Sequence, residues 1–517
     1  MARKNEKGVA LILTLILLAV LSVMAVSLLF MSQSETWSSM NYKLMTQARY
    51  GAEAGVNKTA NWIQNSYTTP TTAQINSMDL TKSPVQFGGY DVTLSANSSV
   101  TPHYFDSTVQ SSFASNATGS VTAGYTTINY QPNAVLLGVQ SFTTYPTNTT
   151  AVIQKWLITS EATISGVRNA DVQLSAIMER QKSPSFAYAA FATATGCGAL
   201  SFGGGGTTNS YDSSSVSYDG KGNVVTQTYG GNVGTNGNLD ESGSKTVIYG
   251  SLSTPRAGTG TCSTSTVTAL STNGNATVTG GITELPQNVS YDPPPAPSPA
   301  PPTTTMDIQK KSDCTGIPSC TTSTSVGTGT TIQGAGTSSG AGSSSNPILL
   351  GNVSLNAQSD LHFGLPDCST LTNLYININS VSDTGNSSIT IDPIYCGGTS
   401  TGVYPQVVLN FAGSGVTTPI NLTGSTITNS SMVPGNLQLL YAGSSQVTIN
   451  GGASTAMLLY APNANFKLNG GGDLYGSVVS NKVLDLGGGA IHYDRQLQKK
   501  FYQLGKYMLS SFNWSKY

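Results

Sequence analysis

The chain has 517 residues, 9% of them charged and 38% apolar, with a net charge of -1. That balance excludes a disordered acidic or basic tail, and no basic patch points to nucleic acid as a partner. Gly, Ser, Thr and Asn fill most of the space between short β-branched or aromatic clusters such as "AVIQKWLI" and "STAMLLYA", so the expected fold class is α+β, mainly β.

The chain opens on "MARKNEKG", residues 1–8, a short leader with Arg3, Lys4 and Lys7 that ends in Gly8. Val9 to Met31 is then apolar and uncharged, broken only by Thr14, Ser22 and Ser27. At about 1.5 Å rise per residue it is long enough to cross a hydrocarbon core of about 30 Å, and the basic leader keeps its end cytoplasmic. The run is too long for a removed secretory signal and does not end at the membrane. Trp37, Met40, Leu44, Ala48, Gly51, Gly55 or Val56, Thr59 and Ile63 continue at three- and four-residue steps, an amphipathic helical face. One helix is expected over residues 9–65, transmembrane over about 9–31, and ended at Pro70 or earlier.

Residues 87–185 alternate apolar and polar, as in "KWLITSEATISGVRNADVQLSAIME", which predicts antiparallel hairpins, one turning at "SGVRNA", packed on the helix. Residues 189–494 change to apolar stubs separated by Gly, Asn and Ser, such as "NATVTGGIT" and "SQVTINGGAS". Each stub reads as one strand of a coil and each Gly or Asn as a corner, a parallel β-helix or similar solenoid, with a β-sandwich as the alternative. Asn463, Asn465, Asn469 and the glycines at 470–472 and 487–489 fit corners and ladders. Two stretches read as excursions: 286–304, Pro-rich and extended, and 325–346, Gly/Ser-rich and expected to be a flexible loop. Leu497, Phe501, Leu504, Met508 and Phe512 predict a helix over 495–517 that caps the solenoid.

Six cysteines, none in a CxxC pair, fit three disulfides in an oxidising compartment. Cys314 and Cys320 bracket the turn-prone "TGIPS", Cys368 and Cys396 enclose a longer alternating segment, and Cys197 is left with Cys262. His103, His362 and His492 are not at zinc-finger spacing from a cysteine pair, so no metal or other cofactor is expected. Asp219 and Asn223 in "SYDGKGN" are similar in part to a calcium loop but lack its further acids; a turn is the better reading, with calcium left open. His492, Tyr493 and Asp494 stand together without a partner Ser, Cys or second His, which favours a structural contact over catalysis. "SFGGGGTT" precedes no helix and has no Lys at phosphate-binding spacing.

The leader ending in Gly8 looks like a class III signal peptide of the type IV filament family. The resemblance implies that a prepilin peptidase cuts between Gly8 and Val9 and methylates the new amine of Val9. "QARYGAEAGVN", Gln47 to Asn57, resembles the end of the N-terminal domain of PilX-type minor pilins, through Ala48, Ala52, Glu53, Ala54 and Gly55. These residues and Leu13 are the implied filament-packing positions, and Glu53 has Arg49 or Lys58 as a partner. Major pilins of the family carry a glutamate at the fifth residue after the cut, thought to pair with the free amine of the subunit already added. Here that residue is Leu13, which implies a tip-proximal subunit that primes assembly.

The segment "LLYAPNANFKLNGGGDLYGSVVSNKVLDLGGGAIHYD" is similar to a C-terminal β-solenoid of large pilus-assembly proteins. The implied protein is a non-enzymatic subunit of a bacterial inner membrane and then of an extracellular filament tip. Its implied partners are other pilins and minor pilins, prepilin peptidase, the inner membrane and, at an adhesive tip, a host or surface polysaccharide. Two rivals remain: a membrane-anchored β-helix enzyme acting on polysaccharide, which needs clustered carboxylates or basic residues on one face, and a passive adhesin with a plain anchor.

Overall fold

The computed structural model describes residues 6–516 apart from 125, 166–168, 244, 310–312, 325–326, 357, 384, 451–454 and 486. Arg3 and Lys4 of the leader, the "GVR" of the expected "SGVRNA" turn and the start of the Gly/Ser-rich stretch therefore lie outside the described residues. The chain divides into two compact units, one formed by Met1–Thr143, Thr150–Ser183 and Leu504–Tyr517, the other by Thr144–Thr149 and Pro184–Gln503.

In the first unit, helix α1 (Glu6–Asn65) runs for 60 residues, about 90 Å at the standard rise. It contains no proline, so no turn loses its hydrogen bond. Within the apolar run, the hydroxyls of Thr14, Ser22 and Ser27 donate to carbonyls three or four residues earlier, which leaves no polar side chain there without a partner. The helix seats on an antiparallel sheet of strands β1 (Thr93–Ser95), β2 (Gly119–Ala123), β3 (Thr126–Thr143), β4 (Thr150–Ile164) and β5 (Ala170–Pro184). The order is β1-β3-β4-β5, with β2 paired to β3. Alternation places Ile128, Tyr130, Ala134, Leu136, Trp156, Ile158 and Ala162 on the inner face, all buried. A second helix, α2 (Ser107–Ala117), is capped by Asp106, whose carboxylate accepts from the amides of Thr108 and Val109, and Phe113 meets Trp62 edge-on at 5.1 Å.

The C-terminal helix expected over 495–517 does not form. Arg495–Lys499 is a 3-10 turn and Tyr502–Lys516 is a strand that joins the first unit's sheet beside β5. Tyr507, Leu509 and Trp514 pack on that unit's core. The inward parity changes between Leu509 and Trp514 because Ser511 takes a left-handed conformation, φ 56°. Met508 and Phe512, two of the residues whose spacing reads as a helix, are exposed on this strand. A sheet edge ready to accept hydrogen bonds then outweighs local periodicity.

The second unit is a stack of parallel coils, which excludes the sandwich. Its first half winds through Ala190–Ala192, Leu200–Phe202 and Thr207–Tyr211, then Val233–Thr235, Leu239–Ser242 and Val247–Ile248, then Leu252–Thr254, Leu270–Asn273 and Thr277–Val278. Equivalent strands pair in register. Its second half winds from Thr305–Ile308 through Ile348–Leu355, Asn373–Asp383, Gln406–Phe411, Leu437–Tyr441, Thr455–Asn469 and Asp473–Asp485. The last coil closes on the first: Val478 lies opposite Ala190, Val483 opposite Leu200 and Ala490 opposite Thr207. The chain therefore enters the solenoid in the middle of the stack and builds outward to one end. It then starts again at the other end and winds back to its starting coil.

The Pro-rich segment makes that return possible. An extended proline-rich chain bonds nothing within itself, so its carbonyls are free for side-chain donors. Asn236 exchanges two hydrogen bonds of 2.8 Å with Val289, Tyr460 donates to Asp292 O at 2.8 Å, Asn377 to Pro299 O at 2.8 Å and Asn352 to Thr303 O at 2.7 Å. These donors belong to successive regions of the stack, so the segment is a strap along the coils and not a free linker. The Gly/Ser-rich stretch is also more ordered than expected. Gly327–Gln333 is a strand parallel to Asp360–Gly364, and turns follow, closed by Ala335 N to Ala341 O and Gly342 N to Asn346 O. Three disulfides, Cys197–Cys262, Cys314–Cys320 and Cys368–Cys396, tie coil loops together.

Candidate functional site

The first half of α1 is bare. Every large apolar side chain from Val9 to Met31 is exposed, Leu13 by 61%. A run of this kind is unfavourable in water and suits a hydrocarbon solvent, and it is long and apolar enough to cross a membrane. Trp37, Met40, Tyr42 and Tyr50 extend the exposed apolar surface beyond it.

The second half of α1 is seated by small residues. Ala48, Ala52 and Val56 are fully buried on β3 and β4, with Gly51 and Gly55 between them. A Cβ at Gly51 would come within 2.3 Å of Ile128 Cγ2, and one at Gly55 within 2.1 Å of Ser160 Oγ. The alanine–glycine pattern thus lets the helix backbone lie against its own sheet. Ala48, Ala52 and Gly55, expected to pack against neighbouring subunits, are used up inside the first unit. Glu53 and Ala54 are half-buried and Leu13 is open. Glu53 pairs with Arg49 at 3.5 Å, not with Lys58, whose Nζ donates to Thr118 O at 2.7 Å. The Arg49 guanidinium also lies 4.2 Å over the Trp514 ring, a cation–π contact with the C-terminal strand.

In the solenoid, Asp219 closes a turn. Its carboxylate accepts from the amides of Lys221 and Asn223 at 2.8 Å and from the Asn223 side chain at 3.1 Å. Those hydrogen bonds, led by the Asn223 amide, hold its pKa below the usual carboxylate range. His492 is buried, bonded through Nδ1 to Asn209 Oδ1 and set against Tyr475 at 4.4 Å. Tyr493 donates to Phe186 O at 2.7 Å, and Asp494 accepts from the amides of Ser213 and Gln496. All three fasten one coil to another.

Two features were not anticipated from the sequence. His362 stands between Asp392, at 2.7 Å from Nδ1, and Asp360, at 3.1 Å from Nε2. Burial alone would lower its pKa, but the two carboxylates outweigh burial and hold it above the ordinary value. The available signal was the Asp360-Leu-His362 alternation, which puts both on one strand face; Asp392 comes from the next coil and has no local signal.

The second is a pair of inward carboxylates. Asp485 and Glu241 both lie opposite Phe202, on the coils either side of it, and are fully buried. Neither Glu241 oxygen has a hydrogen-bond partner among the described residues, and burial pushes each group up to about 7. Because the folded pKa is raised, the stability these groups permit is complete below the unfolded value and is lost as pH rises through about 7. Denaturant unfolding of the second unit, followed by circular dichroism, should therefore show stability falling between about pH 4 and about pH 7 and levelling above it. Glu241→Leu should flatten that slope and gain about 2 kcal/mol at the upper pH. A variant with the wild-type slope would remove Glu241 as its source.

Residues 7–57 match the family model described as PilX N-terminal, and residues 394–500 match the model described as Domain of unknown function (DUF7305). No curated protein matches the chain. Among solved structures, the competence-associated pilin ComZ from Thermus thermophilus is similar at 13% identity, over 92% of this chain and 98% of that one. The TM-score is 0.24, too low for the likeness to support an argument about either fold. The PilX N-terminal match spans the apolar run and the glycine-alanine seat of α1, so it is this helix that is similar to the N-terminal domain of PilX-type minor pilins.

Proposed function

We propose that the protein is a minor pilin of a type IV filament, placed at the tip, where it primes assembly and displays the solenoid. The observation that carries this reading is α1: one unbroken helix, bare over its apolar half and seated on a sheet over the rest. Prepilin peptidase removes residues 1–8 and methylates Val9. The apolar half then anchors the protein in the inner membrane with its N-terminus cytoplasmic, until it enters the helical core among other pilins.

A carboxylate inside the bilayer costs several kcal/mol unless a partner waits for it. Leu13 carries no such cost and offers no carboxylate to a subunit above, which suits the subunit that enters first. The protein performs no chemistry in this role, and the coils of the second unit are its contact surface.

Co-expression with prepilin peptidase, followed by intact mass measurement of the purified chain, tests the assignment. The expected mass is that of residues 9–517 plus one methyl group; a chain that keeps Met1 would overturn it. Immunogold labelling against the solenoid should mark filament ends, and label along the shaft would remove the tip position.

A further inference from the structure

A cleft of about 460 Å³ opens on the first half of the solenoid, within the roughly 300–1,000 Å³ usual for small-molecule sites. Its floor is two neighbouring rungs, with Asp240 opposite Ser271 and Ser242 opposite Asn273. Its wall is the loop through Gly260 and Thr261, tied to the first coil by Cys197–Cys262. Thr268 and Ser271 hold that loop down by donating to Gly260 O at 3.1 and 2.9 Å. Asn238, at the back, is committed to the frame: its amide nitrogen donates to Thr268 and Ser271, and its oxygen accepts from Gly198 N. The polar ends of Asp240, Thr261 and Asn273 have no partner among the described residues and face a disulfide-braced space.

Among the described residues, the lining selects by what it lacks. It has no Lys or Arg, so a phosphorylated or carboxylated ligand would find no counter-charge. No aromatic or aliphatic side chain lines it, so an apolar ligand would gain little from burial. Its single carboxylate is too little charge to strip a divalent cation of six or more oxygen ligands. What remains is a neutral, hydroxyl-rich molecule. The carboxylate of Asp240 can accept from two adjacent hydroxyls, the Asn273 amide can both donate and accept, and the Thr261 hydroxyl does either.

The geometry points to a saccharide-binding site in this cleft, with Asp240 as the principal acceptor. The inference deepens the reading of the solenoid as a displayed contact surface and rests on it for its biological use. Binding by the purified chain does not depend on leader cleavage or filament growth, so failure of one reading is distinguishable from failure of the other.

The test is saturation-transfer NMR on the full chain in a detergent without a sugar headgroup, titrated with maltotriose, cellotriose and triacetylchitotriose. At least one is expected to bind saturably. Asp240→Ala should weaken it about tenfold or more, the size expected for losing hydrogen bonds to a charged group. Asn273→Trp, which fills the cleft from an exposed position on the Asp240 face, should abolish binding, with circular dichroism confirming that both variants fold. Absence of saturable binding by all three sugars, or equal affinity in the variants, overturns the proposal.

Discussion

Gly51→Val is expected to destabilise the first unit by about 2–3 kcal/mol, lowering its melting temperature by roughly 5–10 °C. The sign is informative because glycine inside a helix costs about 0.5–1 kcal/mol relative to alanine, so at an open position the substitution would help. Here the new Cβ falls 2.3 Å from Ile128 Cγ2 and 3.2 Å from Ala162 Cβ, and valine adds two further methyl groups. Either the helix lifts from the sheet or Ile128 leaves its rotamer.

The chain carries its own reporter. Its four tryptophans, Trp37, Trp62, Trp156 and Trp514, all lie in the first unit, so fluorescence melting of the full chain follows that unit alone. Adding Ile128→Ala should recover part of the loss by clearing the space. An unchanged or raised melting temperature for Gly51→Val would show that the helix is not seated as described.

Tyr460→Ala is expected to cost the second unit about 4 kcal/mol, in the range for deleting a fully buried aromatic ring. The Tyr460 ring meets Tyr145 at 5.4 Å, Phe186 at 5.9 Å and Tyr291 at 6.3 Å, and its hydroxyl donates to the strap at Asp292 O. It therefore joins a second-half coil both to the strap and to the aromatic residues where the solenoid begins. Tyr460→Phe keeps the ring and loses the hydrogen bond, so its cost should be near 1 kcal/mol. The measurement is denaturant unfolding by far-ultraviolet circular dichroism, with the tryptophan transition as an internal control. Two variants of equal stability would mean that the ring cluster does not hold the stack.

The sequence was most readable where one local rule governs a long stretch. From Val9 to Asn65 no proline interrupts the turns and the apolar spacing is helical, so the helix could be read to within a few residues of its end at Asn65. The coils were readable because each short apolar stub ends in Gly or Asn at a corner, and the cysteine spacing favoured the pairs that are bonded. Of the candidate site, the bare apolar half of α1 and the small residues of its second half were also visible. What Ala48, Ala52 and Gly55 pack against was not, because a small side chain signals close approach without naming the neighbour.

The amino-acid sequence by itself determined the elements that need only near neighbours: a membrane-length helix with its amphipathic continuation, a hairpin-rich region, and coils with glycine corners. The tertiary structure decided the order in which the coils stack, the route of the strap, the return of Tyr502–Lys516 as a strand, and the pairing of His362 with Asp392. The reason is physical. Backbone hydrogen bonds in a parallel ladder are the same whichever residues supply them. Val478 can therefore lie beside Ala190 with no local trace of the contact in either segment. Which strands meet is settled by the burial and side-chain hydrogen bonds of the whole stack.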